Sequence, residues 1–212
     1  MTNLRLGPLL PRVAGSALLL ATASWGAAMA SDATPVRVRG QIASVEGRQI
    51  TVQNRDGGGT TRLELSGDAK ILGMVPIQPD AIGEDATVGA AAVKQPDGRM
   101  KALVVVVHPG NIGGAGEGYL TWDLTPDSTM VQGEVREAKS GPDGRVLQIY
   151  YTQAGATVVI PPGTPVVKLE PGDPALLKQG ATVFIPNAEK GSGDTLSAEF
   201  VAVGKDGYAP PL

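Results

Sequence analysis

Apolar and polar residues alternate along much of the chain between residues 36 and 107. An arginine separates Val36 from Val38, and the same period of two recurs at Ile50 and Leu63. Because successive side chains of a strand point to opposite faces, this period is typical of half-buried β-strands. Short clusters of Asp and Gly separate the runs and are typical of turns. The pattern predicts an all-β fold.

One strand in this region does not keep its period. Val45 is out of phase with Ile42, and Gly40 lies in the same run. A β-bulge adds one residue to a strand and shifts its phase, and glycine inside a strand often marks such a bend. We therefore expect a bulge or a sharp bend here, of the kind that turns the corners of a barrel.

The second half of the chain repeats the pattern of the first half. VRGQIASVEG at 38–47 resembles VQGEVREAKSG at 131–141, and Ala-Thr-Val occurs at 86–88 and again at 181–183. Further matches follow in the same order, 63–73 with 158–168, 81–93 with 176–188, and 97–107 with 193–203. The offset grows from 93 to about 96 residues, as insertions in turns produce. The repeat predicts a duplicated structural unit.

Each copy also contains the signal for one short helical turn. Asp173 and Pro174 fit the N-cap and the first helical position, Gly180 fits the terminator, and residues 78–82 are the counterpart in the first copy. Each copy then consists of three or four strands, a short helix and two strands, the order of a small Greek-key barrel of the OB type. The predicted fold is two tandem OB-like β-barrels, each with one short helical turn.

The repeat also predicts the domain boundaries. We expect a first barrel at 36–107, a glycine-rich junction at 108–129, a second barrel at 130–205 and a C-terminal tail at 206–212. Four glycines among residues 113–118 are typical of a flexible linker. In the same junction, Tyr119, Trp122 and Leu124 are expected to pack between the barrels. The pattern leaves open a single continuous sandwich that shares strands.

The first thirty residues predict a secretory signal peptide. Arg5 and Arg12 give a positively charged start, an apolar stretch is centred on Leu18–Leu20, and Ala28–Ala30 fits a cleavage site before Ser31. An uncleaved anchor is the alternative, but the stretch is short for the ~20 apolar residues of a membrane span. No second run approaches that length. We expect a periplasmic or secreted protein without stable membrane insertion after cleavage.

Composition excludes several classes of site and partner. The chain has no cysteine, which excludes disulfides, thiolate metal sites and a cysteine nucleophile. It has 18 basic and 21 acidic residues, and loss of Arg5 and Arg12 with the signal leaves 16 basic against 21 acidic residues, a net charge of −5. An acidic chain with few aromatic residues is a poor match for nucleic acid. We predict no nucleic-acid partner.

Two motifs stand out in the chain. One is the repeated Val-x-Gly-x-(Ile/Val) start, and the other, more specific one is the junction motif Gly-x-Gly-Glu-Gly, followed by Trp-Asp-Leu and Ser-Thr-Met. In these motifs residues 36–205 resemble a family of exported bacterial proteins that carry an OB-like domain of unknown function. The resemblance implies export and a β-barrel fold, and it implies no established activity. Relatives are sometimes labelled metal-transporter permeases, but this sequence has no set of spanning helices. A link to metal handling stays open.

His108 is the only histidine, and it ends the apolar run Val104–Val107. The residue type suits a metal ligand or a general base, or it simply ends a strand at a turn. Transition-metal sites usually have two or more His or Cys ligands, so here carboxylates would supply the rest. Glu117, Asp123 and Asp127 are the acids nearby. Metal association through His108 and carboxylates is the alternative function, and no cofactor is predicted.

Motifs for catalysis are weak. His108, Asp123 and Ser128 are the residue types of a nucleophilic triad, but no Gly-x-Ser-x-Gly elbow is present. The glycines at 113–118 lack the Gly-Lys-Ser/Thr ending of a phosphate-binding loop. We therefore predict that the protein is not an enzyme and rank a hydrolytic enzyme third.

The candidate ligand-binding residues lie in and beside the junction. Tyr119, Trp122, Asp123 and His108 would line a groove between the barrels, whereas Trp122 would be a core residue if the barrels close against each other. The predicted function is a secreted periplasmic binding or accessory module without catalytic activity. Its predicted partner is a small ligand or another cell-envelope protein.

Overall fold

β-strands make up most of the described chain. The computed structural model describes residues 36–110, 117–152 and 154–209. The predicted signal peptide, most of the glycine run 113–118 and the end of the tail lie outside the described residues. Within these ranges the helical structure consists of three 3-10 turns, and no helix is long and apolar enough to span a membrane. The prediction of an all-β fold is confirmed.

Twelve strands follow one another in the described residues. They are β1 (Val36–Glu46), β2 (Gln49–Asn54), β3 (Thr60–Pro76), β4 (Thr87–Lys94), β5 (Met100–His108), β6 (Gly118–Thr121), β7 (Ser128–Gly141), β8 (Gly144–Tyr151), β9 (Ala154–Ile160), β10 (Val166–Pro171), β11 (Thr182–Lys190) and β12 (Leu196–Gly204). The 3-10 turns are Pro79–Ala81, Pro174–Leu176 and Lys205–Gly207. All these strands join one hydrogen-bonded sheet, whose ladders close into two rings.

Ring 1 consists of β1, β2, β3, β12 and β11, which pair in this order and close through the β11–β1 ladder. Four ladders are antiparallel, and the β3–β12 ladder is parallel. Every second side chain points inward, and the interior holds branched aliphatic residues such as Ile42, Val52, Leu63, Ile185 and Val203. Ring 1 is therefore a closed five-stranded barrel with a packed core.

Ring 2 consists of β7, β8, β9, β5 and β4. It closes through a short parallel ladder between β5 and β9, in which Met100 lies opposite Val158. Its interior is a second aliphatic core that includes Val88, Leu147 and Ile149. Ring 2 therefore has the same pairing order as ring 1 and the same place for its parallel ladder.

β10 joins the two rings. It pairs antiparallel with the C-terminal half of β3, where Met74 lies opposite Leu169, and parallel with β5. The buried side chains around these ladders form the inter-ring cluster, which consists of Leu72, Met74, Ala91, Val104, Val106, Trp122, Met130, Val167, Leu169, Phe184 and Ala202. Packing in this third core buries apolar surface on the outer faces of both rings, which would otherwise be exposed to water.

Each ring combines strands from both halves of the chain. β1, β2 and β3 close with β11 and β12, whereas β7, β8 and β9 close with β4 and β5. These ladders differ from the prediction that residues 36–107 and 130–205 each close a barrel of their own. Both halves carry the same apolar alternation, so the pattern does not specify which half completes a ring. The long β3, 17 residues without a break, carries the chain from ring 1 to ring 2.

The 3-10 turns occupy both places where the sequence predicts a helical turn. Asp173 caps the second turn, because its side chain accepts a hydrogen bond from the backbone N–H of Ala175 at 2.7 Å. Leu176 at the end of this turn packs against the core of ring 1, whereas Ile82 after the first turn is buried in ring 2. Each turn therefore packs against the ring that the following two strands complete.

Two glycines let the first strand of each ring approach its neighbour closely. A Cβ at Gly40 would overlap the backbone carbonyl of Gln53, and a Cβ at Gly133 would overlap that of Tyr150. The β1–β2 ladder shifts register just after Ile42, where the sequence predicts a bulge, and the β7–β8 ladder shifts at the matching place. The two rings therefore share their local backbone features.

Candidate functional site

The junction segment, residues 117–129, connects the two rings. Its first part, β6, pairs antiparallel with β7 of ring 2. A tight loop follows, in which the Trp122 N–H donates to the Ser128 carbonyl oxygen at 3.1 Å. Ser128 Oγ accepts a hydrogen bond from the Thr125 N–H at 2.9 Å and donates to the Thr125 carbonyl oxygen at 2.7 Å. These bonds hold Trp122 and Asp123 in place beside ring 1.

Trp122 is buried between the rings. It is 7 % exposed and belongs to the inter-ring cluster. The guanidinium carbon of Arg37 lies 4.2 Å from its ring centroid, a cation–π arrangement, and Phe184 meets it edge-on with centroids 6.1 Å apart. The indole N–H is buried and forms no hydrogen bond with a described residue. Trp122 therefore packs the contact between the rings, and Arg37 covers one face of its indole.

Asp123 is paired with two arginines of β1. Its carboxylate accepts hydrogen bonds from both terminal nitrogens of Arg39, at 2.6 and 3.0 Å, and the nearest nitrogen of Arg37 lies 3.8 Å away. The Arg39 hydrogen bonds, followed by the positive charges of Arg39 and Arg37, lower the pKa of Asp123 against an opposing effect of burial. Asp123 therefore fastens the junction segment to ring 1 by a bidentate ion pair.

Tyr119 lies on the other side of β6. The residue opposite it on β7, Val131, faces the core of ring 2, and Tyr119 is 46 % exposed. Its hydroxyl donates to the Met100 sulfur at 3.0 Å, and its ring centroid lies 6.5 Å from that of Tyr151. Tyr119 therefore packs beside ring 2 and does not share a groove with Trp122.

His108 ends β5, where it lies opposite Thr87 of β4. Its side chain is half-buried, and burial lowers the pKa of the imidazole below its ordinary value of 6.5. The Nε2 atom points to the space over Gly89, into which Met130 and Gln132 also project. The four predicted site residues therefore lie in three environments instead of one groove.

Two of the three residues whose types suit a nucleophilic triad have other partners. Asp123 is held by Arg39 and Arg37, and Ser128 Oγ is held by the Thr125 backbone. Within the described ranges, no group of three or more His, Cys, Asp or Glu side chains is placed to hold a metal ion. These contacts support neither a hydrolytic triad nor a carboxylate metal site around His108.

A polar recess on ring 1 lies outside the motifs that the sequence singles out. This β2–β3 groove has a volume of about 420 Å³, and Thr51 lies opposite Arg62 along it. Its polar side chains include Glu46, Gln49, Thr51, Thr60, Arg62 and Thr195. The alternation of β2 and β3 marks Gln49, Thr51 and Arg62 as outward-facing, but it does not show that they border a recess.

The polar side chains of the β2–β3 groove are available to a ligand. On this outer face the Gln53 amide donates a hydrogen bond to the Gly59 carbonyl oxygen at 3.1 Å. No hydrogen bond or ion pair joins the side chains of Thr51, Thr60 or Arg62 to another described residue. Their donors and acceptors therefore face solvent.

No family model matches the chain, and no curated protein or solved structure matches it. The resemblance to an exported family therefore stays a prediction. A fold alone does not determine an activity, which depends on the residues of the site.

Proposed function

We propose that the mature protein is an exported, non-catalytic binding module of the cell envelope that takes a hydroxyl-rich ligand of the oligosaccharide class in the β2–β3 groove. The observation that carries this proposal is the set of unpartnered hydroxyl and guanidinium groups in that groove. The N-terminal signal pattern supports export, and a chain without cysteine cannot form incorrect disulfides in an oxidising compartment.

We further propose that the two rings are OB-like barrels that arose from a duplicated sequence. Each ring has five strands and one parallel ladder. A short 3-10 turn precedes β11 in ring 1 and β4 in ring 2. The bulge and the close-approach glycine recur at matching places. OB-type barrels bind oligosaccharides and oligonucleotides on the face of their second and third strands and the flanking loops. The β2–β3 groove occupies this position in ring 1.

The side chains of the groove favour a neutral ligand with many hydroxyl groups. Threonine and glutamine side chains both donate and accept hydrogen bonds, and Arg62 and Glu46 add charge-assisted bonds to hydroxyls. The acidic chain disfavours a nucleic acid. Since the groove has no aromatic side chain in its lining, a sugar ring has no stacking surface there, and we expect modest affinity.

An NMR titration of ¹⁵N-labelled residues 31–212 with an N-acetylglucosamine tetramer and with maltotetraose tests the proposal. At least one of the two sugars should produce saturable shifts in β2, in β3 and at Thr195. Arg62→Ala should weaken this binding about tenfold, because a charge-assisted hydrogen bond is worth about 1.5–3 kcal/mol. Thr157→Val, on the equivalent outer face of ring 2, is the control and should bind as wild type.

The titration also has a clear negative outcome. Shifts that fail to saturate, or saturable shifts confined to ring 2, would contradict a sugar-binding groove on β2 and β3. Equal affinities of Arg62→Ala and wild type would show that the bound sugar lies elsewhere.

A further inference from the structure

Three side chains with metal-binding atoms converge over Gly89 on the outer face of ring 2. A Cβ at Gly89 would lie 3.2 Å from Met130 Sδ, 3.3 Å from His108 Nε2 and 3.8 Å from Gln132 Oε1. The three residues come from neighbouring strands, since β4 pairs with β5 on one side and with β7 on the other. We call His108, Met130 and Gln132 the donor cluster.

We infer that the donor cluster binds a soft monovalent metal ion, Cu(I) or its analogue Ag(I). Thioether sulfur selects Cu(I), and imidazole nitrogen is a common copper ligand. The amide oxygen of Gln132 supplies a weaker third contact. This inference concerns a different surface from the β2–β3 groove and goes beyond the proposed function.

The three donor atoms can approach one another over the sheet because residue 89 has no side chain. All three donor atoms lie within 4 Å of one point, so small side-chain rotations bring them to bonding distance of an ion beside the sheet. At the matching position of ring 1, Phe184 lies opposite Arg39, and the guanidinium carbon of Arg39 lies 5.2 Å from its ring centroid. The same backbone position therefore carries an aromatic side chain in ring 1 and is covered by the donor cluster in ring 2.

The surroundings of the donor cluster favour a soft ion over a hard one. Gln132 is 6 % exposed, and its amide forms no hydrogen bond with another described residue. Met130 belongs to the apolar inter-ring cluster, and within the described chain no group of three or more His, Cys, Asp or Glu side chains is placed to compete for the ion. A buried thioether and a neutral imidazole, with no carboxylate in the donor set, suit Cu(I) better than Zn²⁺, Mg²⁺ or Ca²⁺.

Competition for Cu(I) against a chromogenic chelator, in oxygen-free buffer with residues 31–212, tests the site. We expect one equivalent of Cu(I) to bind. Met130→Leu should weaken binding about tenfold or more, since even loss of an outer-shell partner costs about 10–100-fold. Met74→Leu replaces another buried methionine of the inter-ring cluster and should bind as wild type.

Two further variants keep the test decisive if Met130→Leu folds poorly. Gly89→Ala places a methyl group in tight contact with Met130 Sδ and His108 Nε2 and should weaken Cu(I) binding. His108→Asn removes the imidazole and should do the same. X-ray absorption of the wild-type complex should show both sulfur and nitrogen ligands.

The inference is overturned if the wild-type protein does not compete for Cu(I), or if Met130→Leu, Gly89→Ala and His108→Asn all bind as wild type. Equal or tighter binding of Zn²⁺ would contradict the assignment to a soft ion. In NMR spectra Ag(I) should shift signals of β4, β5 and β7 and leave the β2–β3 groove unchanged, so failure here is distinguishable from failure of the sugar titration.

Discussion

The two rings have the same strand order but different outer faces. At the contact between the rings, ring 1 presents Arg39 beside Phe184, and the matching pair in ring 2 is Gln132 beside Gly89. In ring 1 the cation and the aromatic ring close the surface, and Arg39 holds Asp123. In ring 2 the missing side chain lets three donor atoms approach the backbone of Gly89. The shared backbone therefore permits two different surface chemistries.

The faces formed by the second and third strands of each ring differ in the same way. In ring 1, Thr51 lies opposite Arg62, and neither side chain has a described partner. In ring 2, Gln148 lies opposite Thr157, and the Thr157 hydroxyl donates to Gln148 Oε1 at 3.0 Å. The ring 2 pair therefore uses part of its hydrogen-bonding capacity internally, whereas both side chains of the ring 1 pair are free to bond a ligand.

The features that the two rings share show where the sequence is constrained. The backbone features common to both rings, such as Gly40 and Gly133, are set by close contacts that no other residue type fits. The outward side chains have no such constraint, and the two rings differ in them.

Loss of the indole between the rings should have the largest effect. Trp122→Ala should reduce the free energy of unfolding by about 3–5 kcal/mol, as for other large-to-small changes of buried aromatic residues. Urea denaturation measures this change, and Tyr150→Ala, at a residue 53 % exposed, is the control. The scattering profile should not change, because β10 still joins the rings. Equal unfolding midpoints for both variants would show that Trp122 is not a packing residue.

Addition of one methyl group to a shared glycine should have the next largest effect. Gly40→Ala and Gly133→Ala should each destabilise the protein by about 1–3 kcal/mol or more, because the new Cβ overlaps a backbone carbonyl and forces two strands apart. Gly83→Ala is the matched control, since nothing lies within 4 Å of its Cβ position. If all three variants unfold at the same urea concentration, the close approach in both rings is absent.

Much of the local structure follows from the sequence. The period of two predicts the strands, the phase change near Val45 predicts the bulge, and Asp173 with Pro174 predicts a capped turn. These features depend on residues that are close in sequence. The burial of Trp122 also agrees with its predicted role in packing, because large apolar side chains rarely stay exposed.

The arrangement of strands and the candidate sites do not follow from the sequence. The choice of ring for β4, β5, β11 and β12 depends on contacts between halves with equivalent apolar patterns. The pairing of Asp123 with Arg39 joins residues 84 positions apart, and each is an ordinary charged residue by itself. The space beside His108 depends on Gly89, which the sequence shows only as a small residue in an apolar run.

Removal of the charge at the ring 1 contact should have a smaller effect. Asp123→Asn should destabilise the protein at neutral pH by about 1 kcal/mol, because exposed ion pairs contribute little. The pKa of Asp123 in the folded protein is lowered. The stabilisation by its carboxylate is therefore fully present above the pKa of 3.8 in the unfolded chain, and it is lost as the pH falls through the folded pKa.

Thermal unfolding from neutral to strongly acidic pH measures this difference between Asp123→Asn and wild type. The difference in Tm should shrink as the pH falls below 3.8, because Asp123 becomes protonated in both states. Other acids, such as Asp97, are present in both proteins, so their contributions cancel in the Tm difference. A Tm difference that is independent of pH would contradict the ion pair with Arg39.

The exchange of strands between the halves is the central claim, and cysteine cross-linking tests it most directly in a chain without native cysteine. Gln41 on β1 lies opposite Thr182 on β11, whereas self-closed halves would place it opposite Thr87, the matching residue of β4. Neighbouring strands bring Cα atoms within the range that a disulfide requires. Under mild oxidation, Gln41→Cys with Thr182→Cys should form an intramolecular disulfide, and Gln41→Cys with Thr87→Cys should not. The reverse result would contradict the exchanged rings.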